Sequence, residues 1–124
     1  MARILVANDD SLGAELLALT LTAEGHEVIP AVNGFDAYES AVHDDPDLVI
    51  LDPVMPIYSG YDICEMLRND PAIPKELPVV FMTTGNEDRR RIERVGATDT
   101  ISKNYAAVEL RDLLVKHLGT KAVA

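Results

Sequence analysis

Three short runs of consecutive apolar residues limit the fold of this chain more than any other feature. They are ILVA at 4–7, LVIL at 48–51 and PVVFM at 78–82, and polar or turn-forming residues flank each one. Such runs are typical of strands that are buried on both faces of a parallel sheet. HEVIPA at 26–31 and TDTIS at 98–102 predict two weaker strands, so we expect five in all.

Amphipathic segments follow the strands, and their apolar residues recur at helical spacing. The repeated alternation of strand and helix predicts parallel strands joined by right-handed crossovers, in a three-layer α/β sandwich. The third helical segment begins with Ser59 and Asp62, which have the spacing of a capping box. The predicted helices extend from a cap at Ser11 to Gly25, from Asn33 to 42, over 59–70, over 86–96 and over 106–118.

Size and charge argue against several functional classes. The 124 residues suit one compact domain, and no apolar run is long enough to span a bilayer. A formal net charge of −10 argues against nucleic-acid binding, because such proteins need basic surfaces to neutralise phosphates. The only basic cluster, Arg89 to Arg91 with Arg94, is interpreted as a solvated helix face rather than a docking patch. Cys64 has no second cysteine to pair with, which favours a reducing cytoplasm.

Polar side chains gather where the predicted strands end. In parallel α/β sheets, ligands bind outside the carboxyl ends of the strands, so residues at these positions are candidates for a site. Acids at strand ends often do no more than cap the following helix, and we expect Asp10 to do so. The candidates are Asn8, Asp9 and Asp10 after the first strand, Asp52 after the third, Thr83 and Thr84 after the fourth, and Lys103 after the fifth.

These residue types together indicate phosphoryl transfer. If the first and third strands are neighbours, Asp9 and Asp52 lie close together, and two carboxylates about 4 Å apart repel by roughly 4 kcal/mol at an effective dielectric of about 20. A hard divalent cation with oxygen ligands, such as Mg²⁺, would offset that repulsion. Lys103 adds a positive charge, and the Thr83 hydroxyl can bond an oxyanion. With Asp52 as the nucleophile, these are the parts that phosphoryl transfer needs.

Four stretches of the chain resemble the receiver domains of two-component response regulators: ILVANDD, PDLVILDPVMPIYSGYDICEMLR, PVVFMTT and GATDTISK. The motifs occur in the order and at about the separation that the family shows, so the resemblance covers essentially residues 1–124 as one receiver domain. It implies a flavodoxin-like (βα)5 fold with a parallel sheet in the order 2-1-3-4-5.

The resemblance also implies a role for each candidate residue. Asp52 would accept a phosphoryl group from the histidine of a sensor kinase or phosphotransfer protein, and Thr83 and Lys103 would bind the phosphoryl oxygens. Asp9, Asp52 and the backbone carbonyl of Val54 would bind Mg²⁺, with Asn8 beside them. Met55, Pro56 and Gly60 would shape the loop after the acceptor. The only reactions implied are phosphorylation and dephosphorylation of Asp52 itself, so the domain would be a switch rather than an enzyme.

Two departures from the family pattern lie next to the acceptor. Asn8 stands where receivers usually have an acid, so it brings no charge and predicts weaker Mg²⁺ binding. Pro53 directly follows Asp52 and has no backbone N–H, so any oxyanion contact from that position is lost. Slower phosphorylation is the expected consequence.

Further departures lie at the last strand. Thr100 replaces a family aromatic residue whose ring turns inward on activation, and it cannot fill the same space. Asn104 replaces a proline after Lys103 that often has a cis peptide bond. Because a cis bond before a non-proline residue costs about 3 kcal/mol, we predict a trans Lys103–Asn104 bond and a displaced Lys103. The short segment from Thr83 to Gly96 also predicts a trimmed or shifted fourth helix.

The preferred interpretation is a cytoplasmic receiver that is phosphorylated on Asp52 and switches its binding to a downstream protein, without contacting nucleic acid or membrane. The alternative is a pseudo-receiver that binds its partner without phosphorylation, which Asn8, Pro53, Thr100 and Asn104 favour. A Mg²⁺-dependent phosphohydrolase fits less well, since such enzymes usually have a second acid where this chain has Val54.

Overall fold

The computed structural model describes residues 1–122. The strands are β1 (Arg3–Ala7), β2 (Glu27–Ala31), β3 (Leu48–Leu51), β4 (Val79–Thr83) and β5 (Asp99–Ser102). The helices are α1 (Ser11–Ala23), α2 (Gly34–His43), α3 (Gly60–Asn69), α4 (Arg89–Arg94) and α5 (Ala107–Leu118), and a short 3₁₀ helix follows at Gly119–Ala122. Within these residues, no helix combines the length and the apolar character needed to cross a membrane.

All strand pairs are parallel, and the sheet order is β2-β1-β3-β4-β5. The predicted α/β fold and its strand order are therefore confirmed. Ala7 lies beside Leu51, and Thr83 lies beside Ser102. This register brings the carboxyl ends of the four strands β1, β3, β4 and β5 to one edge of the sheet.

Side chains of successive strand residues point to opposite faces of the sheet, which divides the core into two layers. Leu5, Val49 and Phe81 belong to the layer covered by α2, α3 and α4. Ile4 and Ile50 belong to the layer covered by α1 and α5. Because both faces of β1, β3 and β4 are covered, these three strands read as continuous apolar runs, which explains why the sequence pattern located them so closely.

Side-chain caps set several helix boundaries. Asn33 accepts a hydrogen bond from the backbone N–H of Asp36, and Ser59 and Asp62 form the predicted capping box. The predicted cap at Ser11 is wrong, because Asp10 is the residue before α1 and Ser11 is already helical. Asp10 does occupy the expected N-cap position, but its side chain makes no capping hydrogen bond.

Helix α4 has six residues and is shorter than the predicted 86–96, which confirms the expected trimming. Its start is delayed because Asp88 accepts a hydrogen bond from the backbone N–H of Arg90 and so caps the helix. The helix ends before Gly96, whose φ of +90° favours glycine and does not continue a helix.

Candidate functional site

Asp52 lies at the centre of the edge formed by the strand ends. Its backbone N–H donates to the Ala7 carbonyl at 2.9 Å, which continues the pairing of β3 with β1 by one residue. The residue is only 2% exposed, yet both carboxylate oxygens have a donor. Oδ1 accepts from the backbone N–H of Val54 at 3.0 Å, and Oδ2 accepts from Nζ of Lys103 at 3.0 Å. The carboxylate is thus buried, oriented and paired with a cation.

Lys103 is not displaced, so that prediction is wrong. Its backbone N–H donates to the Thr83 carbonyl at 2.8 Å, which extends the pairing of β5 with β4 past the end of the strand. The position of the side chain is fixed by this pairing before the chain reaches Asn104. No peptide bond in residues 1–122 is cis, so the predicted trans Lys103–Asn104 bond is confirmed. The Lys103 side chain is 36% exposed, so the lysine end of its ion pair with Asp52 is accessible to solvent.

Asn8 follows β1 and is only 5% exposed. Its amide oxygen accepts from the backbone N–H of Asp10 at 2.9 Å, which forms a local turn of the kind that Asn favours. Asp9 and Asp10 are both exposed, so their carboxylates face solvent at the same edge. The Asn8 side chain therefore stabilises this turn at the edge of the sheet where Asp52 lies.

The conformation of the loop after Asp52 depends on Gly60. The Gly60 N–H donates to the Pro53 carbonyl at 3.0 Å, and a Cβ at Gly60 would lie 2.3 Å from the Asp52 carbonyl oxygen. Pro53 has no N–H to offer, and the carboxylate uses the N–H of Val54 instead. The Val54 side chain is 73% exposed, whereas Met55 is buried. The peptide groups that follow Asp52 therefore stay close to its carboxylate in spite of Pro53.

Glu87, in the loop that follows Thr83, lies near the candidate site, and no sequence pattern singled it out. Thr83, the last residue of β4, leads into a loop in which the Glu87 carboxylate accepts from the backbone N–H of Thr84 and of Gly85 and from the Thr84 hydroxyl, each at 3.0 Å. Burial alone would raise the pKa of Glu87, but these hydrogen bonds outweigh it and lower the pKa below its usual value. The contacts join residues two or three positions apart, and such loop geometry leaves no periodic signal.

Thr100 leaves unfilled space between β5 and α4. A hollow of about 70 Å³ lies beside Thr83, Glu87, Arg89 and Thr100, and a second of about 200 Å³ continues along Arg89 toward Thr98. A threonine side chain is too small to close them. The departure from the family pattern at this position is therefore visible as a gap beside the loop that contains Glu87.

Comparisons with known proteins agree with this geometry. The model of the family described as "Response regulator receiver domain" matches residues 4–115. Response regulator PleD of Caulobacter vibrioides is 39% identical over 104 residues, which cover 82% of this chain and 23% of PleD. Protein PilH of Pseudomonas aeruginosa is 34% identical over 105 residues, which cover 83% of this chain and 86% of PilH.

A solved structure has the same fold as this chain. The receiver domain of sensor histidine kinase PA1611 from Pseudomonas aeruginosa, described with a magnesium ion in its active site cleft, matches with a TM-score of 0.88 at 22% identity. The match covers 96% of this chain and 98% of that one. From the family match, the curated relatives and the shared sheet order, the chain belongs to the response regulator receiver domain family, whose members act in two-component phosphorelay signalling.

Proposed function

We propose that this receiver domain accepts a phosphoryl group on Asp52. The observation that supports this most is the buried Asp52 carboxylate with the Lys103 ammonium 3.0 Å from one of its oxygens, at the carboxyl edge of a parallel sheet. The Lys103 side chain is 36% exposed, so this end of the ion pair is accessible to an incoming phosphodonor.

The reaction moves the phosphoryl group from a donor nitrogen to an Asp52 oxygen. The phosphorus–nitrogen bond of a phosphohistidine breaks, its electron pair returns to the imidazole, and a phosphorus–oxygen bond forms. Val54 and Lys103 orient the carboxylate before the donor arrives, which reduces the entropy lost on reaching the transition state. The Thr83 hydroxyl and the Lys103 ammonium then bind the phosphoryl oxygens, where negative charge develops.

The donor atoms at this edge suit Mg²⁺. Carboxylates of Asp9 and Asp52 and the backbone carbonyl of Val54 are hard oxygen ligands, and Asn8 offers a neutral amide beside them. Within residues 1–122, no three His, Cys, Asp or Glu side chains cluster as a metal centre, so two acids, a carbonyl and water would have to suffice. The magnesium described in the PA1611 receiver supports this assignment. The ion would supply positive charge that offsets the repulsion between the acids and the phosphoryl group.

The phosphodonor would be a sensor histidine kinase or a phosphotransfer protein, and the response would be a changed affinity for a downstream protein in the cytoplasm. Chemistry would be confined to Asp52, so residues 1–124 act as one switch domain rather than as an enzyme on other molecules. The match to PleD spans only 23% of that protein, so activities of the longer relatives are not transferred.

Incubation with acetyl phosphate and Mg²⁺ tests the proposal. Intact-protein mass spectrometry should show a phosphoryl increment on wild type that is absent from Asp52→Asn. Asp112→Asn is the matched control, because Asp112 is an exposed acid on α5 away from the strand ends, and it should gain the increment normally. If wild type gained no increment, the proposal would be wrong and the phosphorylation-independent alternative would replace it.

A further inference from the structure

The loop after β4 contains an anion site that is filled by a side chain of the protein itself. Both oxygens of the Glu87 carboxylate accept from the Thr84 N–H at 3.0 Å, and the Gly85 N–H and the Thr84 hydroxyl add one contact each at the same distance. Adjacent backbone N–H groups that converge in a turn form a concave site with a preference for anions. Gly85 has a φ of +99°, a conformation that glycine adopts without strain.

The Thr84 N–H of this anion site points from β4 toward the neighbouring strand β3, which Asp52 follows. The C=O and N–H of one trans peptide group point in opposite directions. The carbonyl of Thr83 faces β5, because it accepts the N–H of Lys103 at 2.8 Å. The N–H of Thr84 belongs to the same peptide group, so it points the other way, toward β3 and the acceptor that follows it.

We propose that Glu87 is a positioning residue that occupies, in the unphosphorylated domain, an anion site that a phosphoryl group on Asp52 would otherwise use. This inference rests on the proposed phosphorylation of Asp52. A phosphoryl group and the Glu87 carboxylate are both anions, and the Thr84 N–H can make a short, well-aligned hydrogen bond to only one of them. Phosphorylation therefore has to displace Glu87, and Glu87 lowers the affinity of the site for phosphoryl oxygens.

A displaced Glu87 side chain could move into a hollow beside the loop. The hollow of about 70 Å³ beside Thr100 is lined by Glu87 itself and by Arg89. Arg89 is exposed, and a guanidinium can bind a carboxylate with two parallel hydrogen bonds. A Glu87 side chain released from the backbone of the β4–α4 loop would thus have a second possible partner, the Arg89 guanidinium, in the same hollow. An element with two discrete positions can be biased by a single added charge.

Titration with beryllium fluoride in the presence of Mg²⁺ tests this inference, since the adduct resembles a phosphoryl group on a carboxylate. Glu87→Gln removes the competing charge and keeps the size of the side chain. Its affinity for beryllium fluoride, measured by isothermal titration calorimetry, should exceed that of wild type by about tenfold, which corresponds to about 1.4 kcal/mol. Thr84→Val removes only the hydroxyl donor to Glu87 and should raise the affinity by a smaller factor.

Controls separate competition from loop stabilisation. Glu93→Gln removes an exposed acid from α4 that lines only the second hollow, and its affinity should stay at the wild-type value. Affinity for Mg²⁺ alone should also be unchanged in Glu87→Gln. If Glu87 only held the loop in shape, its loss would lower the melting temperature and would weaken beryllium fluoride binding or leave it unchanged.

The outcomes distinguish this inference from the proposed function. Two results together would support both the proposed function and the role of Glu87. Wild type should gain a phosphoryl increment on Asp52, and Glu87→Gln, but not Glu93→Gln, should bind beryllium fluoride more tightly than wild type. The same increment with equal or weaker binding by Glu87→Gln overturns the role of Glu87 and leaves Asp52 as the acceptor. An equal increase in beryllium fluoride affinity in Glu87→Gln and Glu93→Gln would show that only the net charge of the domain matters. That result would also overturn the role of Glu87. No increment and no binding in any variant would overturn both.

Discussion

Gly60 is the position at which a single added methyl group would overlap the backbone of Asp52. A Cβ there would lie 2.3 Å from the Asp52 carbonyl oxygen and 3.0 Å from the Asp52 carbonyl carbon and from the Pro53 Cα. Ordinary contact begins at 3.4 Å, so the methyl group and the oxygen must separate by 3.4 − 2.3 = 1.1 Å. All three atoms belong to the main chain, so no side-chain rotation can relieve the overlap.

The surrounding hydrogen bonds limit how the backbone can move. The Asp52 N–H is bound to Ala7 at 2.9 Å, and the Gly60 N–H is bound to Pro53 at 3.0 Å. A shift of 1.1 Å must therefore stretch one of these bonds or move the first turn of α3. Forcing an extra methyl group into a packed site typically costs about 1–3 kcal/mol, and the better helix propensity of alanine returns up to about 1 kcal/mol. We expect Gly60→Ala to lower the free energy of unfolding by about 2 kcal/mol.

Urea denaturation monitored by circular dichroism measures this loss, and the slope of the unfolding free energy against urea should stay unchanged. Gly13→Ala is the matched control within α1. A Cβ at Gly13 would lie 2.9 Å from Oδ2 of Asp10, a side-chain atom that can rotate away, so this variant should be no less stable than wild type. Gly60→Ala should also gain less phosphoryl group from acetyl phosphate, because the shifted backbone carries Asp52 with it. Equal stability of Gly60→Ala and wild type would refute the steric account.

Two further substitutions test the charge at the site and the pH dependence of the fold. Asn8→Asp adds an acid beside Asp52, so it should raise the affinity for Mg²⁺ several-fold and lower stability in metal-free buffer; equal affinities in calorimetric titrations would contradict this. Burial, assisted by the N-terminal amine, lowers the pKa of His26 from 6.5, and Nδ1 of the neutral ring accepts the Ala2 N–H at 3.1 Å. The unfolded chain therefore binds the proton first, and stability present above pH 6.5 should be lost as the pH falls below it. Urea titrations of wild type and His26→Gln should show this loss only in wild type, and parallel curves would assign it to other groups.

The three strands β1, β3 and β4 were predictable because their burial is nearly complete. LVIL at 48–51 coincides with β3, and both faces of that strand meet core residues from the two layers. In a domain of this size, a short apolar run without polar alternation is most readily accommodated as a strand that is buried on both faces. Helix α4 was less predictable, because Asp88 and Glu87 bind backbone N–H groups close to them and delay its start. Helix periodicity does not report such short-range contacts.

The composition of the site followed from topology, and its details followed from individual hydrogen bonds. Once β1, β3, β4 and β5 are parallel neighbours, polar residues just beyond them must share an edge. The wrong expectation for Lys103 came from the residue after it, whereas the N–H of Lys103 itself is tied to Thr83. Likewise, the sequence indicated Asn8 only as an uncharged Mg²⁺ ligand, although its amide oxygen also accepts a hydrogen bond from the Asp10 N–H.

The departures from the family pattern are not spread evenly over the site. The Asp52–Lys103 contact is intact, whereas Thr100 leaves a gap on the side that faces α4. Thr100 lines this gap, and its side chain is smaller than the aromatic ring that the family usually has there. Glu87 and Arg89 are charged side chains that line the 70 Å³ hollow, and Glu87 also binds the peptide N–H of Thr84. The displacement of Glu87 that we propose would therefore take place beside this gap, next to α4.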